Sequence, residues 1–136
     1  MFWKKLSEDN IVQTVTSTIE KDTMMISNSI FNIAQFLKDD TIWIIRDFDH
    51  TLFLFSASQV KRMSDVLWRL EGDPREISMI RRFYLSSMSE TRLKDGALQL
   101  CPYFINWLGA STVIDIQVFR IEDETYVRLR KGEKHG

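Results

Sequence analysis

Two short apolar runs separated by a polar turn constrain the fold more than any other feature of this chain. Residues 42–45 (IWII) and 52–55 (LFLF) are apolar on both faces, which is typical of strands covered on both sides. Asp47, Asp49 and His50 lie between them, and Asp and His tolerate the unusual backbone angles found in turns. The pattern therefore predicts a β-hairpin with two buried faces.

The joining string, DFDHTL at residues 47–52, also resembles the first motif of the haloacid-dehalogenase-like phosphohydrolases. That resemblance implies a Mg²⁺-dependent enzyme in which Asp47 attacks phosphorus and Asp49 acts as general acid and base. It further implies that Mg²⁺ is bound by Asp47 and the backbone carbonyl of Asp49. The resemblance also requires a phosphate-binding Ser or Thr, a Lys and a late acidic pair, for which the candidates are Ser86 or Ser87, Lys94 and Glu122-Asp123.

Spacing favours the hairpin over the enzyme. The signal Asp73-Pro74 predicts a helix that runs through residues 83–87, whereas the family places its Ser or Thr at the tip of a strand. The interval from Ser86 to Lys94 leaves no room for the helix that separates these motifs in the family. We therefore predict no catalytic residues, no bound metal and no cofactor, with the phosphohydrolase kept as the alternative.

Apolar residues near the N-terminus are spaced as in a helix. Between residues 12 and 37 they are separated by 3, 4, 7, 4, 3 and 4 positions, which keeps them on one helical face. We predict an N-terminal helix or helix pair with a break near residues 21–23, whose stripe is a core face or a seam for self-association. The stripe comprises Val12, Val15, Ile19, Ile26, Ile30, Ile33 and Leu37.

Two start signals predict two helices in the middle of the chain. Ser56 and Gln59 are spaced as a capping box before an apolar repeat with helical spacing. Asp73 and Pro74 match the N-cap and first position of a second helix, which follows the first after Gly72.

The last third of the chain predicts a second hairpin. Residues 89–96 fit a polar connection, and residues 97–108 fit either an edge strand or a short helix that begins near Pro102. Apolar and polar residues alternate over residues 114–119 and 126–130, which predicts an antiparallel pair with one apolar and one solvent-facing side.

These elements predict one α+β domain over residues 1–136. Its expected parts are the N-terminal helix or helix pair, a central antiparallel sheet of about four strands in hairpins, and the two capped middle helices. A chain of 136 residues, 44% of them hydrophobic, is long enough to bury about 65–70% of its unfolded surface.

Charge and cysteine usage exclude some classes of function. The 18 Lys and Arg residues nearly balance 19 Asp and Glu residues, so a global field for nucleic acid is not expected. Cys101 is the single cysteine, which excludes an intrachain disulfide and suggests a reducing compartment. The N-terminus lacks the apolar stretch of a secretory signal, and no membrane span is expected. We predict a cytoplasmic protein that binds neither nucleic acid nor membrane.

The function predicted from these observations is binding of another protein. No complete catalytic set is visible, so a toxin-neutralising immunity protein, a secretion chaperone or an adaptor is expected. The partner would contact either the N-terminal stripe, which could also mediate self-association, or the polar face of the last hairpin. The predicted binding surface on that hairpin comprises Asp115, Gln117, Tyr126, Arg128 and Arg130.

Overall fold

A computed structural model describes residues 6–26, 41–94, 96–109 and 113–132. Within these residues the chain forms an antiparallel sheet that closes into a barrel, together with three helices. Neighbouring strands pair in the order β1-β2-β6-β5-β3-β4-β8-β7, and β7 pairs with β1 to complete the circle. The strands are β1 (Ile11–Glu20), β2 (Thr23–Met25), β3 (Thr41–Asp47), β4 (Thr51–Phe55), β5 (Ser89–Lys94), β6 (Ala97–Gln99), β7 (Val113–Ile121) and β8 (Glu124–Lys131). The helices are α1 (Ala57–Trp68), α2 (Pro74–Leu85) and α3 (Pro102–Leu108), and a single 3₁₀ turn covers Glu8–Asn10.

The predicted first hairpin is confirmed. β3 and β4 pair antiparallel, with Ile44 opposite Leu54 and Ile45 opposite Phe53. Every residue of β4 is buried, because one face of the hairpin lines the barrel and the other lies beneath α1 and α2. Consecutive residues of the hairpin therefore pack on opposite faces of the sheet, in two separate hydrophobic cores.

Two hydrophobic clusters result, which we call the interior cluster and the outer cluster. The buried members of the interior cluster are Ile19, Met24, Ile26, Ile42, Ile44, Leu52, Leu54, Leu98, Leu100, Phe104, Leu108, Ile114, Ile116, Val118, Val127 and Leu129. The buried members of the outer cluster are Ile45, Phe53, Phe55, Met63, Leu67, Tyr84, Phe119 and Tyr126. Since α3 supplies Phe104 and Leu108, it belongs to the interior cluster, whereas α1 and α2 cover the sheet from outside.

Both predicted helix starts are confirmed. The hydroxyl of Ser56 accepts a hydrogen bond from the Gln59 backbone N–H, and the Gln59 side chain accepts one from the Ser56 N–H, each at 3.2 Å. Gln59 also donates to the carbonyl of Thr125 at 2.8 Å, which ties α1 to the start of β8. At α2, the Asp73 carboxylate accepts from the Arg75 N–H at 2.8 Å. These caps satisfy backbone donors that a helix leaves unpaired at its first turn.

The predicted N-terminal helix is wrong where the structure describes the segment, because residues 11–25 form β1 and β2. Ile, Val and Thr occupy seven of the ten positions of β1, and β-branched side chains favour strands. Exposure alternates with period two, and three threonines occupy exposed positions, so a count of apolar residues alone misses the strand. Ile30, Ile33 and Leu37 lie outside the described residues, and self-association through that segment stays a prediction.

The predicted sheet of about four strands is also wrong, since the described residues form eight. Residues 89–94, predicted as part of a polar connection, are β5, which pairs with β3 and β6. Its sequence SETRLK has no alternation that would mark it as a strand. Residues 97–108 combine both alternatives, because β6 is followed by α3 starting at Pro102.

The predicted pairing of the C-terminal hairpin is confirmed as β7 with β8, where Gln117 lies opposite Arg128 and Phe119 opposite Tyr126. The prediction that this side faces solvent is wrong for Gln117, Phe119 and Tyr126, which are buried, because the two aromatic rings belong to the outer cluster. Glu122 has a positive φ of 56° at the turn.

None of the helices in the described ranges is long and apolar enough to cross a membrane.

Candidate functional site

A cleft of about 890 Å³ lies beside the β3–β4 turn and along the last residues of β8. Four segments contribute to it: the 3₁₀ turn, the β3–β4 turn with the start of β4, the end of α3, and the end of β8. The lining residues are Leu6, Glu8, Asp47, Phe48, Asp49, His50, Thr51, Phe53, Asn106, Leu108, Gly109, Arg128, Arg130 and Lys131.

Asp47 stabilises the turn from a buried position. The residue is 4% exposed, and its carboxylate accepts a hydrogen bond from the Tyr84 hydroxyl at 2.6 Å and another from the backbone N–H of Phe48 at 2.8 Å. Hydrogen bonds to an ionised acceptor are short and stronger than neutral ones. The carboxylate therefore connects the turn to α2 and holds the backbone of Phe48 in place.

Further hydrogen bonds hold the remaining turn backbone. The Thr51 hydroxyl donates to the carbonyl of Phe48 at 2.8 Å, and the Trp107 indole N–H is shared between the carbonyls of Asp47 (3.1 Å) and Thr51 (2.9 Å). Asp49 and His50 adopt φ values of 63° and 56°. This left-handed conformation costs a non-glycine residue about 1–2 kcal/mol, so the surrounding hydrogen bonds must stabilise it. The string DFDHTL thus forms a hairpin turn held by several hydrogen bonds.

Four aromatic rings beside the cleft form what we call the aromatic platform: Phe48, Phe83, Tyr103 and Trp107. Phe48 stacks on Phe83 with ring centroids 4.6 Å apart and planes 9° apart, although its own side chain is 52% exposed. Arg46 lies among the rings, with its guanidinium 4.3 Å from the Phe83 centroid. It donates to the carbonyl of Phe83 at 2.9 Å and to the Tyr103 hydroxyl at 2.5 Å. The platform is therefore partly exposed and held in a fixed arrangement.

His50 borders both the aromatic platform and the cleft. Its Nδ1 lies 2.9 Å from the carbonyl oxygen of Trp107, and a carbonyl can only accept, so Nδ1 carries the hydrogen. The imidazole and indole rings are also in contact, with centroids 5.1 Å apart. In the neutral ring the other nitrogen, Nε2, is consequently an acceptor.

Three cations from the end of β8 also line the cleft, and we call Arg128, Arg130 and Lys131 the cationic wall. The Arg128 guanidinium donates to the Gln117 side-chain oxygen at 2.6 and 2.9 Å, and lies 4.7 Å from the Phe119 ring centroid. Burial lowers the pKa of Arg128, and the neighbouring charge of Arg130 lowers it further.

The remaining contacts of the cationic wall are weak. Glu8 approaches Arg128 at 3.5 Å, with its own side chain 70% exposed. The Nε of Arg130 is buried and has no hydrogen-bond partner within the described part of the chain.

The structure brings together some residues of the predicted binding surface and separates others. Arg128 and Gln117 are bonded to each other, but Gln117 is buried. Asp115 is half-buried and accepts a hydrogen bond from the Thr16 hydroxyl at 3.2 Å. Arg130 lines the cleft.

Tyr126 is buried and lies away from the 890 Å³ cleft, at a smaller one of about 330 Å³ beneath α1. Its hydroxyl donates to Glu124, which also forms an ion pair with Arg62. Burial raises the pKa of Tyr126, and the bond to Glu124 raises it further.

Sequence reasoning missed Phe48 and Lys131 as lining residues. A weak signal existed for Phe48, since an aromatic residue between two aspartates in a predicted turn has little opportunity to be buried. No sequence signal placed Lys131 beside that turn, because their proximity depends on β4 pairing with β8 through Leu52 and Leu129.

Lys94 and the Glu122-Asp123 pair, which the phosphohydrolase resemblance implies, lie far from Asp47. The turn that carries Glu122-Asp123 lies at the far end of β8, roughly 25 Å from Arg130 at about 3.4 Å per residue. β5 pairs with β3 through Ser89 and Ile44 and then runs away from the turn, so Lys94 lies at the other end of the sheet. Within the described ranges, no group of three or more His, Cys, Asp or Glu side chains is placed to hold a metal.

No protein-family model matches the sequence, and no curated protein is significantly similar to it.

Proposed function

We propose that this chain is a non-enzymatic protein-binding protein whose partner docks on the aromatic platform and in the adjoining cleft. The observation that carries the proposal is Phe48, a large aromatic side chain that is more than half exposed and yet stacked on Phe83. A side chain held rigidly in its bound position loses little conformational entropy when a partner covers it. Aromatic residues and arginines also dominate the energetic hot spots of protein interfaces.

The fold limits how a partner can be recognised. Each described strand has a paired neighbour on both sides, so the barrel offers little unpaired backbone for an added strand. A partner must therefore contact side chains. Phe48 and the cationic wall line the same cleft, and Phe48 is the exposed ring among them.

Site-specific crosslinking tests the proposal. A photoreactive phenylalanine analogue would be placed at position 48 of the full chain in its native host, and at position 25 as a matched control. Met25 is 58% exposed on β2, which lies across the barrel from β4. We expect a discrete crosslinked protein from position 48 that position 25 does not yield. Repeated absence of any crosslinked protein from position 48 would contradict the proposal.

The partner identified by mass spectrometry then permits a quantitative test. Phe48→Ala should weaken its affinity by roughly 30-fold or more, which corresponds to the loss of about 2 kcal/mol typical of a hot spot. Met25→Ala should leave the affinity unchanged. Equal affinities for the two variants would place the interface elsewhere. The identity of the partner would distinguish a toxin-neutralising, chaperone or adaptor role.

A further inference from the structure

We propose that the cationic wall binds the carboxylates of an acidic segment of the partner, with Arg130 as the main contact. This inference rests on the proposed protein-binding function and specifies the chemistry of the partner. It predicts an apolar residue of the partner on the aromatic platform and acidic residues next to it in the cleft.

Arg130 has hydrogen-bonding capacity that the described residues leave unused. Its Nε is buried and finds no acceptor among the described residues, although native proteins satisfy most such donors. The Nε itself is out of reach of a ligand, but Arg130 lines the cleft, so a bound carboxylate would pair with the part of the guanidinium that is not buried. A guanidinium presents a planar set of donors that matches the two oxygens of a carboxylate.

The cations of the cationic wall repel one another. Arg128 and Arg130 are two residues apart on one face of β8, which places their backbones about 7 Å apart. The charge of Arg130 contributes to the lowered pKa of Arg128, after the effect of burial. An anion between the two guanidinium groups would relieve this repulsion.

The Glu8 carboxylate, which is paired with Arg128, is easily displaced. Glu8 reaches Arg128 only at 3.5 Å, and its side chain is mostly exposed, so solvent screens the pair. Asp47 is already engaged by the Tyr84 hydroxyl and the Phe48 N–H. A partner's carboxylate can therefore replace Glu8 without breaking the hydrogen bonds of the turn.

The charge distribution favours an acidic protein over a nucleic acid. Glu8 and Asp49 are exposed at the edge of the cleft, and they would repel a continuous polyanion. A peptide can direct two or three carboxylates towards β8 while it places neutral residues beside Asp49. The nearly balanced charge of the whole chain also provides no general attraction for phosphates.

Peptide binding to the full chain tests this inference. The probe is a fluorescein-labelled decapeptide of glutamates with one central phenylalanine, and its control replaces each glutamate with glutamine. Fluorescence anisotropy at low salt should show at least tenfold tighter binding of the glutamate peptide, with a loss of affinity at high salt. Equal binding of both peptides, or no binding of the glutamate peptide at millimolar concentration, would overturn the inference.

Matched variants locate the contact. Arg130→Gln should weaken binding of the glutamate peptide about tenfold, Arg130→Lys should restore part of it, and Glu8→Gln should strengthen it a few-fold because the competing carboxylate becomes neutral. Met25→Ala should change nothing. If Arg130→Gln does not fold, Lys131→Gln serves as the second variant, since its side chain is exposed at the same wall. Unchanged affinity in the folded cationic-wall variants would overturn the inference.

The two proposals fail in distinguishable ways. A partner crosslinked at position 48 equally well in the wild type and in Arg130→Gln would overturn the acidic-segment inference while leaving the protein-binding function supported. The absence of any crosslinked partner would count against the function itself.

Discussion

The interior and outer clusters differ in composition, although the same strands supply much of both. Phe104 is the one aromatic among the buried members of the interior cluster, whereas five of the eight buried members of the outer cluster are aromatic. Branched aliphatic side chains fill the narrow space inside a small barrel, while flat rings cover the broad interface between a sheet and its helices. The outer cluster continues, through Phe83 packed against it, to the exposed ring of Phe48. The interior cluster reaches the exposed ring of Tyr103 through Phe104. We therefore expect the interior to supply mainly stability and the outer side, with Phe48, to supply most of the recognition.

Cavity formation in the interior should have the largest effect on stability. Leu54→Ala removes a fully buried side chain of the interior cluster, and it should lower the free energy of unfolding by about 2–5 kcal/mol. Urea denaturation measures the loss. The folded fraction should still bind the glutamate peptide with wild-type affinity. A large loss of affinity would break the separation between stability and recognition.

Removal of the Tyr84 hydroxyl should have an intermediate effect. Tyr84→Phe takes away the donor at 2.6 Å from the buried Asp47 carboxylate, at an expected cost of about 1–3 kcal/mol in unfolding free energy. Tyr103→Phe is the matched control, because its hydroxyl is bonded to Arg46 at a more exposed position and should cost less. Equal losses in urea denaturation would show that the bond to Asp47 has no special role.

The smallest predicted effect is a pH dependence that belongs to the outer cluster. The folded state raises the pKa of Tyr126, so the unfolded chain loses this proton first, near pH 10. The stabilisation is complete below pH 10 and declines as the pH rises above it, by at most about 1.4 kcal/mol per pH unit. Tyr126→Phe should reduce this decline, whereas Leu54→Ala should retain it because members of the interior cluster do not titrate. Urea denaturation between pH 8 and 11 measures the three slopes.

The sequence correctly predicted those strands and helices that are determined by residues close together in the chain. The hairpin of β3 and β4, the capping box at Ser56 and the Asp73-Pro74 helix start follow from side chains within a few residues of one another. The structure confirms each of them, and it also confirms the pairing of β7 with β8. In each case the turn or helix cap is adjacent in sequence to the strand or helix that it begins or ends.

Closure of the barrel could not be predicted, because it depends on strand pairs whose residues are far apart in the sequence. β1 is stabilised by β7, where Thr16 lies opposite Asp115, 99 residues away. β5 has a polar sequence and is a strand because β3 and β6 pair with it on both sides. Sequence reasoning placed Arg128 and Arg130 on a binding surface, but without closure it could not place them beside Phe48.

One indole couples two parts of the molecule that otherwise have different roles. Trp107 belongs to α3, whose Phe104 and Leu108 pack in the interior cluster, and its N–H holds both ends of the β3–β4 turn. Any ligand that rigidifies the turn should therefore also slow amide hydrogen exchange within α3, because local opening of the helix would have to release the same two carbonyls. Slower amide hydrogen exchange in α3, a helix that packs in the interior cluster, would then indicate that a ligand occupies the cleft beside the turn.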